Sequence, residues 1–266
     1  MTSLTRMLAI LDLFDEGASV WTAEAIARHL GYSLPTGYRY VRELHLAGLL
    51  RRDAGGTYVL GPRVIELDHC IRVGDPLMIA SERVARDLAD RSGCDVVLGT
   101  LYGTRIITIH QEHGPEGVSA SYGRGRRMPL FRGMLSKAIL SGLPRAQLRQ
   151  LVRNQPDEVA SGTLAQDWED MITALKAIRA AGHSISHGEL DPGLTGIAVP
   201  LVSPEHRLNA ALGFIITNKR FATSDPARLV RLLEQAAQRI LAALPASQDA
   251  PSTAAEPASG RPSRSE

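Results

Sequence analysis

A mixed α/β chain of the α+β kind, built in two parts, is what this 266-residue sequence predicts. Three observations carry that reading. Short apolar-periodic helices crowd the first 46 residues and lead into a glycine-centred hairpin. Strand-forming runs beyond residue 76 come in two groups, with amphipathic helices between and after them, the pattern of an antiparallel sheet covered by helices. A chain of this length that is 44% hydrophobic divides naturally into one small and one medium core.

Leu4, Met7, Leu8, Leu11 and Phe14 recur at a helical period behind the capping residue Ser3, and Asp15-Glu16-Gly17 ends that helix. Thr22 caps a shorter helix with Ala23, Ile26, Ala27 and Leu30 inward and Gly31 behind it. Ser33 caps a third helix, which stops at Ala47-Gly48. Two short helices across a tight glycine-containing turn make a helix-turn-helix. Residues 49–53 and 57–60 read as strands around Ala54-Gly55-Gly56, and this hairpin is a wing. Residues 1–61 are thus expected to be a winged helix-turn-helix. A linker helix should follow within 62–75, with Val64, Leu67 and Ile71 on one side.

The second part is expected over 76–245. Pro76 opens a helix to residue 92 with the stripe Leu77, Ala80, Val84 and Leu88. Residues 95–102 and 105–111 flank Gly103-Thr104 as a hairpin, with a third strand at 118–122. The loop Gly123-Arg124-Gly125-Arg126-Arg127-Met128-Pro129 comes next, then helices over 133–142, 145–153 and 163–181. Three more strands fall at 183–186, 196–202 and 209–217, and Ser224-Asp225-Pro226 opens a final helix to Leu244. Residues 246–266, rich in Pro, Ala and Ser, have no apolar periodicity and read as a disordered tail.

Composition narrows the function. No apolar run approaches the roughly 18–20 residues of a membrane span, and the first helix is patterned rather than leader-like, so a cytoplasmic protein is expected. Cys70 and Cys94 stand far apart without a CxxC pair, which predicts two buried thiols rather than a disulfide or zinc ribbon. Net charge is only +2, but residues 1–61 segregate six arginines from six acids, with four of those arginines between 39 and 52. That basic end can face phosphate. Neither a G-x-S-x-G elbow nor a GxxxxGK[ST] loop is present, and Gly123-x-Gly125 lacks a third glycine, so no enzyme and no cofactor is expected. His183 and His187, on one strand face, would stand about 13 Å apart, too far to share a metal.

The third helix carries the DNA reading. With Val41 at the core, steps of about 100° turn Leu34, Gly37, Tyr38, Leu44 and His45 inward and Thr36, Arg39 and Glu43 outward, with Tyr40 and Arg42 at the flanks. Arg39 suits a fork onto guanine, Thr36 a thymine methyl or phosphate, and Tyr40 a phosphate. Arg51 and Arg52 at the wing's base suit the DNA backbone. Tyr38 and Arg42 complete the expected double-stranded DNA surface.

Residues 3–61 resemble the DNA-binding domain of the IclR family of regulators. The resemblance rests on Leu8-Ala9-Ile10-Leu11, Ile26-Ala27-Arg28-His29-Leu30-Gly31, Tyr38-Arg39, Ala47-Gly48-Leu49-Leu50-Arg51-Arg52 and Tyr58-Val59-Leu60-Gly61-Pro62. It continues to about residue 244 through Gly125-Arg126-Arg127-Met128-Pro129-Leu130, Ser136-Lys137-Ala138-Ile139-Leu140, Glu189-Leu190-Asp191-Pro192-Gly193 and Ile197-Ala198-Val199-Pro200. It implies a GAF-like effector domain, dimers or dimers of dimers, and a near-palindromic promoter site whose major grooves lie about 34 Å apart. It also implies an effector pocket at Leu130, Arg132, Met134, Leu135, Ser186, Gly196, Gly213 and Ile215. This chain departs from the family with Phe131-Arg132-Gly133 where relatives carry a histidine, and with Gly196, Gly213 and Ile215 at small polar positions. Those exchanges predict a roomier pocket and a larger, partly apolar carboxylate effector paired with Arg132.

Overall fold

The computed structural model describes residues 2–121 and 123–245, so the expected tail lies outside the described residues. The chain divides after Ile79 into two compact units.

In the first unit, α1 (Ser3–Leu8) passes through a 3₁₀ turn (Leu11–Leu13) to α2 (Ala23–His29) and α3 (Leu34–Leu46). Thr22 caps α2 by accepting from Ala25 N–H at 3.1 Å. Thr2, rather than Ser3, caps α1, and Ser3 Oγ instead meets the Tyr40 hydroxyl at 2.9 Å. The wing is β1 (Leu50–Arg52) against β2 (Tyr58–Leu60), in the register Leu50↔Leu60, Arg51↔Val59 and Arg52↔Tyr58. Trp21 pairs with Tyr58 on the open edge and gives the hairpin a third, one-residue rung. Ile10, Ala23, Ile26, Tyr40, Val41, Leu44 and Leu50 form the core. α4 (Pro62–Gly74) follows, with no buried residue, and Cys70 on it is exposed, contrary to the buried thiol expected.

After α5 (Pro76–Ser92), the second unit is a six-stranded antiparallel sheet in the order β5-β4-β3-β8-β7-β6. Its strands are β3 (Asp95–Tyr102), β4 (Arg105–Glu112), β5 (Arg127–Met128), β6 (Ser184–His187), β7 (Leu194–Ser203) and β8 (Leu208–Thr217). α6 (Met134–Ser141) lies on β3, β6, β7 and β8, and its core joins Val97, Ala198 and Ala211 to residues of α7 (Arg145–Asn154) and α9 (Trp168–Ala181). α11 (Pro226–Ala243) covers β7 and β8 and buries Leu229, Leu233 and Ile240. α8 (Pro156–Ala160) and α10 (Asn218–Ala222) are single-turn connectors.

Three expectations change. No strand forms over 118–121: Gly114 and Val118 spend their N–H groups on the buried Asp95 carboxylate, at 3.0 and 3.3 Å, which holds a loop in place of a ladder. The third strand is instead β5, inside the arginine-rich stretch expected to be loop, with Met128 paired to Ile106. Asp167 starts α9 by accepting from Glu169 and Asp170 N–H, several residues later than periodicity suggested.

Candidate functional site

In the first unit, α3 turns Gly37, Tyr40, Val41 and Leu44 into the core. Gly37 sets this rotation: a Cβ there would stand 2.8 Å from Ala27 Cβ, so α2 and α3 approach at that point only without a side chain. Tyr40 is therefore buried, not at the flank. Its ring meets Tyr32 edge to face at 5.8 Å and its hydroxyl is held by Ser3, which removes it from the expected phosphate contacts. That hydrogen bond also lowers the Tyr40 pKa. Tyr38 makes the opposite exchange: placed inward from sequence, it is 48% exposed. Its hydroxyl donates to Glu24 of α2, which raises the tyrosine pKa and lowers that of the carboxylate. Leu34 and His45 are likewise exposed instead of inward.

Arg39, Arg42, Arg51 and Arg52 are exposed, and Thr36 is half-buried beside Ser33, whose Oγ donates to Thr36 Oγ1 at 2.9 Å. Arg39 holds its guanidinium over the Tyr40 ring, the central carbon 5.3 Å from the ring centroid. Arg51 has only a 4.0 Å approach to Asp53, and among the described residues Arg39, Arg42 and Arg52 have no carboxylate partner. The unit thus exposes guanidinium groups on α3 and on the wing, three of them without a carboxylate partner among the described residues.

In the second unit, a small cavity of about 40 Å³ lies between α6 and the sheet. Met134, Leu135, Ser186, Gly196 and Ile215 line it, all five expected there. The glycines do not enlarge it. A Cβ at Gly196 would collide with Met134 Cγ, and one at Gly213 would stand 2.9 Å from Met134 Sδ, so the methionine fills the room they leave. Gly213 thus sits beneath Met134, and Leu130 is fully buried in the core. Ser186 Oγ has no hydrogen-bond partner among the described residues and lies at the pocket wall.

Two carboxylates at the rim were not anticipated. Glu189 accepts from Lys137 Nζ, Thr163 Oγ1 and Gly133 N–H, the last at 2.9 Å, and so ties the β6–β7 loop to the start of α6. Burial pushes its pKa up, but those three donors outweigh burial and hold it below the usual range. Gly133, at φ 85°, is the one residue type that makes this turn beside Leu190 without strain. Asp191 accepts from both the N–H and hydroxyl of Ser121, across the pocket mouth. The sequence carried both acids within Glu189-Leu190-Asp191-Pro192-Gly193, but nothing in that run said which way they faced.

Arg132 is not in this pocket. It lines a separate outer cleft with Arg127, Met128, Pro129, Glu158, Ser161 and Gly162, so it is no counter-ion for a ligand held between α6 and the sheet. Among the described residues no group of three or more His, Cys, Asp and Glu could hold a metal, and no helix is long and apolar enough to cross a membrane.

A winged helix-turn-helix followed by a helix-covered antiparallel sheet with an internal pocket defines a class: regulators that pair a DNA-reading domain with an effector-binding one. Family models identify the member. Residues 3–54 match the IclR helix-turn-helix domain and residues 74–242 match the C-terminal domain of bacterial IclR transcriptional regulators. The chain belongs to the IclR family; it is a transcriptional regulator with an effector-binding domain, and not an enzyme. It is 28% identical over 244 residues, 91% of this chain and 96% of the relative, to the HTH-type transcriptional regulator XynR of Escherichia coli. It is 26% identical to the Pca regulon regulatory protein of Pseudomonas putida, over 80% of this chain and 73% of that one. Among solved structures, an IclR homolog of Microbacterium hydrocarbonoxydans complexed with 4-hydroxybenzoate shares the fold. Its TM-score is 0.73 at 23% identity, over 91% of this chain and 98% of that one.

Proposed function

We propose that this regulator binds a near-palindromic promoter site as a dimer or dimer of dimers, in the cytoplasm, and changes its operator affinity when a small organic acid binds. In this reading residues 1–61 read DNA, 62–75 link, and 76–245 sense the effector. The observation that carries the DNA half is the exposed set Tyr38, Arg39 and Arg42 on α3 with the half-buried Thr36, together with Arg51 and Arg52 on the wing, and among the described residues no carboxylate pairs Arg39, Arg42 or Arg52. Arg39 reads a base edge, and the wing arginines anchor phosphates. Self-association is supported by α4, which exposes Ile65, Leu67, Ile71 and Val73.

The effector enters between α6 and the sheet. Val97, Met128, Met134, Leu135, Leu190 and Ile215 give it apolar walls, and Ser186 offers an unused hydroxyl. Lys137 offsets the charge of Glu189, and the Asp191 carboxylate is held at the rim by hydrogen bonds from Ser121. The 4-hydroxybenzoate bound to the Microbacterium relative, an apolar ring with a polar group at each end, supports this class of ligand; to admit one here, the space of about 40 Å³ must widen as Met134 moves aside. Effector binding biases the segment 123–133, and the linker helix passes that bias to the spacing of the DNA-reading units.

Mapping bound sites across the genome by footprinting, then titrating one such operator with 4-hydroxybenzoate and related acids, tests the whole reading. Near-palindromic sites and an acid that shifts operator affinity are expected. An acid that binds tightly yet leaves operator affinity unchanged contradicts the coupling.

A further inference from the structure

Arg132 has an unmet need. Its Nε is buried and has no hydrogen-bond partner among the described residues. A buried guanidinium donor left unpaired is costly, and native structures satisfy such groups with protein, water or ligand. The neighbouring arginine is in a different state. Arg127 Nη2 donates to Glu158 at 3.2 Å, and the other Glu158 oxygen accepts from Leu130 N–H at 2.9 Å. The one acid of the cleft is therefore engaged, and Arg132 leaves a single uncompensated positive charge.

The surroundings are built rather than incidental. The cleft holds about 400 Å³, and its lining joins the apolar Met128 and Pro129 to Ser161 and Gly162. Its two walls are stapled together: Thr163 and Leu164 N–H both donate to the Phe131 carbonyl, at 3.0 and 3.1 Å. Gly162 packs so closely there that a Cβ would lie 2.7 Å from Phe131 Cβ. The segment carrying Arg132 and the α8–α9 loop thus hold one another in place, and a ligand meets a formed site.

We propose that this cleft is a second ligand site, distinct from the pocket between α6 and the sheet, that takes the carboxylate of a small organic acid. The two carboxylate oxygens lie in the planar fork of Arg132, and the apolar body rests on Met128 and Pro129. Among the described residues, Met128 alone lines both spaces. The site stands whether or not the inner pocket holds the effector.

Benzoate is the probe, and the full chain with ¹⁵N-labelled arginine is the sample. The Arg132 Nε–H resonance is assigned through Arg132→Lys and followed by NMR. Benzoate is expected to move that resonance saturably, and to do so equally in Ile215→Phe, which fills the inner pocket. In that background, calorimetry should show Arg132→Gln weakening benzoate roughly tenfold or more. A resonance that stays still at high benzoate overturns the proposal, as does one that moves equally with chloride or inorganic phosphate at matched ionic strength. Loss of the response in Ile215→Phe would place benzoate in the inner pocket and overturn it too. If Arg132→Gln fails to fold, the wild-type resonance decides alone.

Discussion

At residue scale, charge placement separates reading from holding. Arg39→Ala should weaken operator binding and relax specificity at one base pair by about 1–3 kcal/mol, whereas Arg52→Ala should lower affinity for all sequences and reduce the salt slope by about one. Binding isotherms on the operator and its single-base variants, run at several salt concentrations, separate the two. Glu189 gives a pH prediction. Its pKa is lower folded than unfolded, so its contribution is complete above the ordinary carboxylate range and fades as pH falls through the depressed value. Urea denaturation from pH 7 down to about 3 should show this loss, and Glu189→Gln should flatten it. The variant should also cost about 3 kcal/mol at neutral pH, because Lys137, only 11% exposed, loses its ion-pair partner. Stability unchanged at pH 7 would count against that account.

At the scale of elements, packing corrected what periodicity proposed. Gly37→Ala shows why: the substitution gains about 1 kcal/mol of helix propensity but overpacks the contact with Ala27, which costs about 1–3 kcal/mol. Net destabilisation in denaturant and weaker DNA binding are expected; a more stable protein with intact binding would refute the close-packing role. The helices, the wing and most of the sheet were legible because glycine punctuation and apolar spacing act locally. The rotation of α3 was not, since it depends on Gly37 meeting Ala27, a contact between helices, and so Tyr38 and Tyr40 exchanged places. The strand expected at 118–122 was lost for a similar reason: Asp95, distant in sequence, claims the loop's N–H groups. In the pocket, residue identity at Gly196 and Gly213 suggested space, but Met134 from another element fills it. For α4, Ile65→Asp with Ile71→Asp should shift the protein towards monomer in sedimentation, with a parallel loss of operator affinity. An unchanged oligomer would move the self-association surface elsewhere.

For the whole molecule, any coupling between effector and operator is reciprocal. An acid that changes operator affinity by some factor, typically about 5–150-fold, must have its own affinity changed by the same factor when operator is present. Calorimetric titration of the acid with and without operator DNA measures this, and unequal factors would show that the two ligands do not act through one shared equilibrium. The order β5-β4-β3-β8-β7-β6 bears on how the protein is made. β3 pairs at once with β4, but its other neighbour is β8, and the Thr100–Asn209 hydrogen bond joins residues 109 apart. At about 5–20 residues per second, the ribosome leaves one edge of β3 without its partner for roughly 5–20 s. The sensor sheet therefore closes late in synthesis, when β8 enters between β3 and β7. A nascent chain arrested before β8 would present an open hydrophobic strand edge, the kind of surface that recruits chaperones or aggregates.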